Sequence, residues 1–495
     1  MLRFLVFENG RPARSAPVET AFLLGNDRVP LRAAVSFSDG EIRCDTRARG
    51  AAALSILWPI PDGGWMMLET TRLTERARPY NLHVELARGQ LMRIAQKRED
   101  WGLYDYPAGG AAVYAEVQAA KDLLVEALTA PDEVTAARLG DEAIGASVRV
   151  GERLGLFHAE LLFLRRQAAN LAARRLLGCR LELDRLDEPY LRALASAFDF
   201  ASLPFDWRTL EPKEGRRQTG LHEQWLKACR ERRIPVRGHA LLDLSPARLP
   251  DWVRGNVRDY DTLRTAVAQH LKLTLKTFQG MVRSWEVING IHAGSSLKLS
   301  FEQTMELTRM AAILVKQLAP KASAIVGITL PWGEYYAHDP RTIPPLLYAE
   351  MVVQSGITFD AFGLELRFGG EEPGLLVRDL MQVSAILDRF GTLAKPLHVT
   401  AAGVPSGGDP SRNGCWREAW SEETQADWLE ALYRIALSKP FVESVTWQTL
   451  ADPPSAGHQF GLLRPDFSRK AAYQRLVEFR SGLSSGGGGL NDRDD

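Results

Sequence analysis

The stretch Met281-Val-Arg-Ser-Trp-Glu-Val-Ile-Asn-Gly-Ile-His-Ala293 decides the fold prediction for this chain. Its apolar, partly β-branched run follows a helical segment and stops at Asn289-Gly290. A strand of a parallel sheet is covered on both faces, so it reads as a continuous apolar run with polar residues at its end. The stretch therefore predicts a buried barrel strand that delivers Asn289 to the rim.

The chain around this stretch alternates between short apolar runs and amphipathic segments. Parallel strands separated by helices give this alternation, and eight repeats of it predict an α/β fold, a (β/α)8 TIM barrel, over residues 179–480. The predicted strands lie near residues 179–184, 197–203, 234–242, 282–289, 323–329, 359–366, 395–400 and 443–448.

Residues 1–108 are predicted to form a β-rich module that resembles a jelly roll or sandwich. Short apolar runs are separated there by Asn-Gly, Asp-Gly and Pro-Asp-Gly-Gly, which are typical of tight turns between antiparallel strands. The aromatic residues of this region either stack on a carbohydrate or, as is more common, pack the module itself. They are Trp65, Trp101, Tyr104 and Tyr106.

Residues 109–178 are predicted to be a helical connector, because Ala, Leu and Glu recur there with apolar residues three and four apart. We expect three helices, with breaks near Ala130-Pro131 and at Gly155. The tail at residues 481–495 contains a Ser-Ser-Gly-Gly-Gly-Gly run and is predicted to be disordered.

Composition narrows the possible partners. Lys plus Arg and Asp plus Glu both number 61, so the formal net charge is zero and nucleic acid is not an expected partner. No run of eighteen apolar residues predicts a membrane span, and no signal peptide is evident, so the expected location is the cytoplasm. The four widely spaced cysteines predict free thiols, and no metal or cofactor motif is present. The oligomeric state stays open.

Several further motifs, in order along residues 195–480, resemble those of glycoside hydrolase family 10, the xylanase family. The opening stretch is similar to the family's fourth-strand motif Trp-Asp-Val-Val-Asn-Glu. The other similar motifs are Trp207-Arg-Thr-Leu-Glu-Pro-Lys-Glu-Gly215, Val236-Arg-Gly-His-Ala-Leu-Leu242, Phe362-Gly-Leu-Glu-Leu-Arg367, Leu397-His-Val-Thr-Ala-Ala402 and Val445-Thr-Trp-Gln-Thr-Leu-Ala-Asp452. Their order and spacing imply the same barrel fold.

The resemblance also implies which groups are missing. The final Glu of the fourth-strand motif is the family's general acid/base, and Gly290 stands in its place. The Glu of the seventh-strand motif is the nucleophile, and Ala401 stands in its place. Neither residue can transfer a proton or attack an anomeric carbon. The resemblance therefore implies a protein that binds a β-glycan oligo- or polysaccharide without the usual hydrolytic pair.

The same comparison assigns the residues expected to bind sugar. His239, Asn289 and Trp447 match residues of the family's sugar site, whereas Arg367 replaces its strand-six histidine. Trp332, in the loop after strand five, is a further candidate.

Two other functions stay open at the level of sequence. Glu334 and Glu365 lie at or beyond the ends of predicted strands five and six, so an active hydrolase or lyase using this pair is one alternative. A scaffold with an empty barrel is the other, and a bowl plugged by the loop at residues 403–417 would favour it. Glu286 shares strand alternation with Gly290 and is interpreted as the buried ion-pair partner of Arg237.

Overall fold

The computed structural model of the protein describes residues 1–106, 110–169, 176–256, 259–294, 297–339, 341–408, 412–454 and 459–484. The strands are β1 (Leu2–Leu5), β2 (Phe7–Glu8), β3 (Arg11–Pro12), β4 (Phe22–Leu24), β5 (Pro30–Leu31), β6 (Ala33–Ser38), β7 (Glu41–Thr46), β8 (Ala53–Ile60), β9 (Gly64–Glu69), β10 (Tyr80–Asn81), β11 (Leu176–Arg180), β12 (Phe200–Pro204), β13 (Val236–His239), β14 (Ser284–Asn289), β15 (Ser323–Ile328), β16 (Ala361–Arg367), β17 (Leu397–Gly403), β18 (Cys415–Trp416) and β19 (Val442–Trp447).

The α-helices are α1 (Leu82–Asp100), α2 (Ala111–Leu128), α3 (Glu133–Ala168), α4 (Glu188–Ala197), α5 (Trp207–Leu210), α6 (Gly220–Glu231), α7 (Asp251–Asn256), α8 (Tyr260–Thr277), α9 (Phe301–Leu318), α10 (Pro345–Gln354), α11 (Leu380–Gly391), α12 (Glu422–Ser438) and α13 (Ala471–Ser484). Short 3₁₀ turns lie at Val18–Thr20, Leu103–Asp105 and Glu334–Ala337.

Eight parallel strands close into a barrel in the order β11, β12, β13, β14, β15, β16, β17 and β19. Pairing of Leu176 with Ser444 and of Cys179 with Trp447 joins the first strand to the last. The predicted (β/α)8 barrel is therefore confirmed. Its first strand begins at Leu176, three residues before the predicted start, so Arg180 lies at the end of that strand.

The opening stretch forms β14 as predicted. From Trp285 to Asn289 no side chain is more than 6% exposed, which is why the run is apolar on both faces. Helix α9 follows, and its start is held by a capping box in which Ser300 and Gln303 each bond the other's backbone N–H.

The N-terminal region contains two larger sheets, as the sandwich-like prediction requires, and a short β2-β3 pair. One sheet has the order β10-β1-β7-β6 and the other the order β18-β9-β8-β4-β5. Phe4 and Ile42 of the first sheet and Leu54 and Ile56 of the second are fully buried in one apolar cluster. The prediction that residues 1–108 are β-rich throughout is wrong for residues 82–100, which form α1.

Three helices connect this region to the barrel. The predicted break at Gly155 is wrong, because α3 is one helix of 36 residues that Asp132 caps through the N–H groups of Val134 and Thr135. A Cβ at Gly155 would lie within 4 Å of Met381 and Ile435 on the barrel's outer helices. The glycine therefore allows close helix packing instead of ending the helix.

The loop after β17 joins the barrel to both preceding segments. Its strand β18 pairs antiparallel with β9, through Cys415 with Trp65. The indole Nε1 of Trp416 donates to Glu152 of α3 at 2.6 Å, and Glu152 also accepts from the backbone N–H of Leu380 at 3.2 Å. One buried carboxyl group thus contacts the connector, the loop and the start of α11.

The chain end departs from its prediction in part. Helix α13 extends through residues 481–484, so the predicted disordered tail begins too early, and residues 485–495 lie outside the described residues.

Within the described ranges, no helix is long and apolar enough to cross a membrane. In the same ranges, no group of three or more metal-ligating side chains comes together.

Candidate functional site

The carboxyl ends of the barrel strands surround a cavity of about 290 Å³, which we call the bowl. Small-molecule sites usually occupy about 300–1,000 Å³, so the bowl has room for a short ligand segment. Its polar lining residues are Arg180, Glu182, Ser202, His239, Arg248, Arg367, Glu372, Gln448 and Thr449. The wall is therefore rich in hydrogen-bonding groups and contains three guanidinium groups.

Glu365 contacts two lining residues of the bowl, Arg180 and Arg367, and receives hydrogen bonds on both oxygens. Arg180 donates to Oε1 at 2.7 Å, and Asn289 donates to the same oxygen at 3.2 Å. Thr329 donates to Oε2 at 2.9 Å, and Arg367 at 3.4 Å. The carboxylate thus joins residues from four different parts of the barrel.

The same contacts determine the charge of Glu365. Burial acts to raise its pKa, but Arg180, Arg367 and His239 outweigh burial and hold the pKa well below its usual range. A carboxyl group with so low a pKa carries no proton at neutral pH, so it cannot act as a general acid there. Its four donors also occupy the lone pairs that a nucleophile would need.

His239 forms its principal contact with Glu286, not with a group above the strands. Nδ1 of His239 is hydrogen-bonded to Oε2 of Glu286, and both side chains are buried. The predicted pair of Arg237 with Glu286 is therefore wrong. Arg237 instead donates to Ser284 at 3.3 Å and to His398 at 3.2 Å.

Gly290 directly follows β14, and Ala401 lies in β17. By resemblance to the family, these two positions are where the catalytic carboxyl groups were expected. Gly290 has φ +65°, and a Cβ built there would lie 2.9 Å from Cγ2 of Thr329. Ala401 is fully buried in β17 and pairs in register with Glu365 of β16. Neither position has a carboxyl group, and Gly290 has a backbone conformation that disfavours any side chain.

Replacing Gly290 with Ala is expected to lower the free energy of unfolding by about 1–3 kcal/mol, because a non-glycine residue at this φ is strained and Thr329 must move. Gly356→Ala is the matched control, because Gly356 has φ +68° with no atom within 4 Å of the added Cβ. Urea unfolding of both variants should show the larger loss at Gly290. Equal losses would mean that the Thr329 contact contributes nothing.

Two of the predicted sugar-binding residues lie below the bowl surface. Asn289 is 6% exposed, and its Oδ1 has no hydrogen-bond partner in the part of the chain that the structure describes. Trp447 is fully buried, and its Nε1 donates to the carbonyl of Phe460 at 2.8 Å. The structure therefore places Asn289 next to Glu365 but gives Trp447 no free face for stacking.

Glu334 and Trp332 lie outside the bowl. Glu334 pairs with the fully buried Arg378, whose guanidinium lies 5.0 Å from the ring centre of Trp332. Glu334 and Glu365 both line a cavity of about 10 Å³, which has room for about one water molecule. The two predicted catalytic carboxyl groups are thus neighbours without space for a sugar between them.

Seven of the nine polar bowl residues were not found from the sequence, and Arg180, Glu182 and Arg248 are among them. Arg180 and Glu182 lie at and just after the end of β11, a strand that the family resemblance does not cover. Arg248 lies in the loop after β13 and pairs with Asp206. Because the first strand was placed three residues late, Arg180 and Glu182 were assigned to its middle.

Glu182 is the carboxyl group of the bowl with the most unusual titration. Burial raises its pKa to about 7, against the opposing effect of hydrogen bonds from Tyr190 and from the backbone N–H of Leu450. The Leu450 N–H lies 3.1 Å from Oε1, and Thr449 also donates to that oxygen. Glu182 is thus partly protonated near neutral pH.

Comparison with known proteins places the barrel in a sequence family. The Glycosyl hydrolase family 10 model matches residues 204–478. Endo-1,4-beta-xylanase 5-like of Arabidopsis thaliana is 23% identical over 280 residues, which cover 54% of this chain and 44% of that protein. Anti-sigma-I factor RsgI6 of Acetivibrio thermocellus is 26% identical over 268 residues, which cover 52% of this chain and 30% of that protein. The chain thus spans less than half the length of either relative.

A solved structure confirms the architecture. The crystal structure of native xylanase 10B from Thermotoga maritima superposes with a TM-score of 0.50 at 18% sequence identity. The superposition covers 65% of this chain and 99% of that chain. The likeness at this identity shows the barrel fold.

Proposed function

The chain belongs to glycosyl hydrolase family 10, and from that membership we propose that its bowl binds a β-glycan without cleaving it by the family's two-carboxyl mechanism. The observation that carries the proposal is the chemistry at Gly290 and Ala401. Retaining hydrolysis requires a proton donor and a nucleophilic carboxylate about 5 Å apart. By resemblance these two residues occupy both positions, and neither has an ionisable group.

Three carboxyl groups lie in or next to the bowl, and they do not form a replacement catalytic pair. Glu365 is ionised and engaged by four donors. Glu372 pairs with Arg367 at 3.2 Å and is largely exposed. Glu182 can hold a proton near pH 7, but its oxygens already accept from Tyr190, Thr449 and Leu450. A single protonated carboxyl group without a nucleophile does not support the retaining reaction.

A polar atom without a partner supports a hydroxyl-rich ligand. Arg367 lines the bowl, and its Nε is buried and has no hydrogen-bond partner among the described residues. Buried polar atoms are nearly always hydrogen-bonded, so such an atom beside a cavity favours a polar occupant. A sugar hydroxyl can accept a hydrogen bond and therefore suits this donor.

The relatives' names indicate which glycan to test first. Several matched proteins are named endo-1,4-beta-xylanase, so we propose xylan or a xylo-oligosaccharide as the first ligand. Another match is named an anti-sigma factor, so the names of the relatives do not all denote hydrolysis.

Two alternatives are retained as proposals. An active hydrolase or lyase would use Glu334 and Glu365, which line one small cavity but are held by Arg378 and by Arg180 respectively.

The second alternative is a scaffold with an empty barrel, which a plugged bowl would favour. No described residue of the 403–417 loop lines the bowl, because its strand β18 pairs with β9 of the N-terminal region. The open bowl supports ligand binding over the scaffold.

Arg367→Gln is expected to weaken binding of xylotetraose about tenfold or more, because a buried hydrogen bond from a charged donor is worth about 1.5–3 kcal/mol. Isothermal titration calorimetry measures the change. Trp65→Ala is the control, since Trp65 is 40% exposed on the N-terminal module. Binding that survives Arg367→Gln and is lost in Trp65→Ala would place the glycan on that module.

A further inference from the structure

A second cavity lies between the helical connector and the outside of the barrel. Its volume is about 580 Å³, twice that of the bowl, and we call it the connector pocket. Helices α1 and α3 form one side, and α11 together with the segment after α12 forms the other. The pocket is therefore built partly from elements that precede the matched family region.

Basic side chains outnumber acidic ones in this pocket. Six lining residues are basic and three are acidic. The basic residues are Arg28, Arg93, Lys97, Arg165, Arg389 and Lys439, and the acidic ones are Glu69, Asp100 and Asp388. In a chain with zero formal net charge, this is a local concentration of positive charge.

Glu69 and Asp388 are each shared by more than one cation. Arg28 lies 2.6 Å and Arg93 3.6 Å from Glu69. Lys439 lies 2.7 Å and Lys97 3.9 Å from Asp388. The carboxylates are thus already engaged and cannot neutralise further cations of the pocket.

Two arginines of the pocket form no direct ion pair with a described carboxylate. Arg389 donates to the backbone carbonyl of Asp27 at 2.9 Å, and Arg165 donates to the hydroxyl of Tyr106 at 2.7 Å. Neither forms an ion pair within 4 Å in the ranges that the structure describes. In addition, Nε of Arg93 is buried and has no hydrogen-bond partner there.

The titration of neighbouring groups agrees with an excess of positive charge. Burial, reinforced by Lys439, Arg165 and Lys97, lowers the pKa of His158 to about 3. Burial also lowers the pKa of Arg389, where Arg28 acts in the same direction and Glu350, Asp27 and Glu69 act against it. Burial is thus the main cause of both shifts, and nearby cations reinforce it.

Apolar surface lies beside this charge. Trp101 stacks on His158 with ring centres 4.5 Å apart, and Met381, Ile386 and Phe441 line the same pocket. An occupant would therefore contact cations at one part and a flat or apolar wall at another.

The geometry points to the connector pocket as a binding site for a small organic dianion, in which a phosphate group or two carboxylates adjoin an aromatic ring. Guanidinium groups bind both kinds of anion through paired N–H donors, and Arg389 and Arg165 have donors that no carboxylate occupies. The ring would lie against Phe441. This site is separate from the bowl and does not depend on the function proposed for it.

Calorimetry with 1-naphthyl phosphate tests the site on the full chain. We expect saturable binding that weakens about tenfold or more in Arg389→Gln, because one charge-assisted hydrogen bond is lost. Inorganic phosphate and 1-naphthol, which each lack one half of the ligand, should bind more weakly. Naphthalene-1,4-dicarboxylate identifies the anion: tighter binding than the phosphate supports a dicarboxylate ligand, and weaker binding supports a phosphorylated one.

Control variants distinguish a loss of binding at the connector pocket from general effects of charge and folding. Arg208→Gln removes a partly exposed cation of helix α5, which does not line the connector pocket, and should leave the affinity unchanged. If Arg389→Gln does not fold, Arg165→Gln provides the same test from an exposed position. Absence of binding, wild-type affinity in both pocket variants, or displacement by xylotetraose would overturn the assignment.

Discussion

Xylan and xylotetraose are expected to remain uncleaved by the purified protein, with turnover at least about 10⁴-fold below that of a family member carrying both glutamates. General acid–base catalysis alone contributes about 10²–10⁴-fold, and loss of the covalent step adds to this. Gly290 and Ala401 supply neither group. Reducing-end assays and mass spectrometry of the products, with heat-inactivated protein as the blank, measure the rate.

Turnover comparable to that of such a family member would contradict this expectation, and two variants would then identify its source. Loss of that turnover in Glu334→Gln or Glu365→Gln would establish the relocated pair and make the protein a working enzyme. Turnover that survives both changes would exclude the relocated pair and direct attention to Glu182, whose pKa is raised to about 7.

Glu365→Ala is expected to lower the free energy of unfolding by about 3–5 kcal/mol, because it leaves buried cations without their carboxylate. Arg180 is 13% exposed and pairs with Glu365 at 2.7 Å. Glu372→Ala is the matched control: Glu372 is 56% exposed and pairs with the same Arg367, so its loss should cost less than about 1 kcal/mol. Urea unfolding at neutral pH compares them, and similar losses would show that Glu365 is not central to the barrel.

The pH dependence of this loss has a definite sign. The folded-state pKa of Glu365 lies below its unfolded value of about 4.3. The unfolded chain therefore binds more protons than the folded chain between the two values, and the stabilisation is complete above pH about 4.3. As the pH falls below that value, the difference between wild type and Glu365→Ala should shrink. A difference that stays constant down to acid pH would contradict the proposed ion pairs.

The barrel could be predicted from sequence because its signal is local. The run from Trp285 to Asn289 is apolar since both faces of β14 are covered, and the motif order then located the other strands. Even so, β11 was placed three residues late. That error concealed Arg180 and Glu182, because only residues at a strand end reach the bowl.

Side-chain partners across the barrel could not be predicted. The sequence of one strand does not reveal how far its neighbour is shifted along the strand direction. Alternation correctly places Arg237 and Glu286 on inward positions, but Arg237 is level with Ser284 in the sheet register. Glu286 is consequently level with His239, which becomes its partner. Register shifts at Glu286–Ile288 and Leu364–Glu365 change the pairing further. The alternation of inward and outward side chains does not predict such shifts.

The loop after β15 shows a second limit. Glu334 and Trp332 follow a strand end, so the general rule for barrels placed them at the bowl. The loop instead runs outward, where Arg378 contacts Glu334 and Trp332 lines the connector pocket. The position of such a loop depends on strands β4 and β5 of the N-terminal module, which pack against it and are remote in sequence.

A crystal structure of the protein after prolonged soaking with xylotetraose reports binding and cleavage together. We predict an intact tetrasaccharide with one segment in the bowl and hydroxyl groups within hydrogen-bond distance of Arg367. An empty bowl under saturating ligand, or a bowl containing only xylobiose or shorter products, would contradict the account.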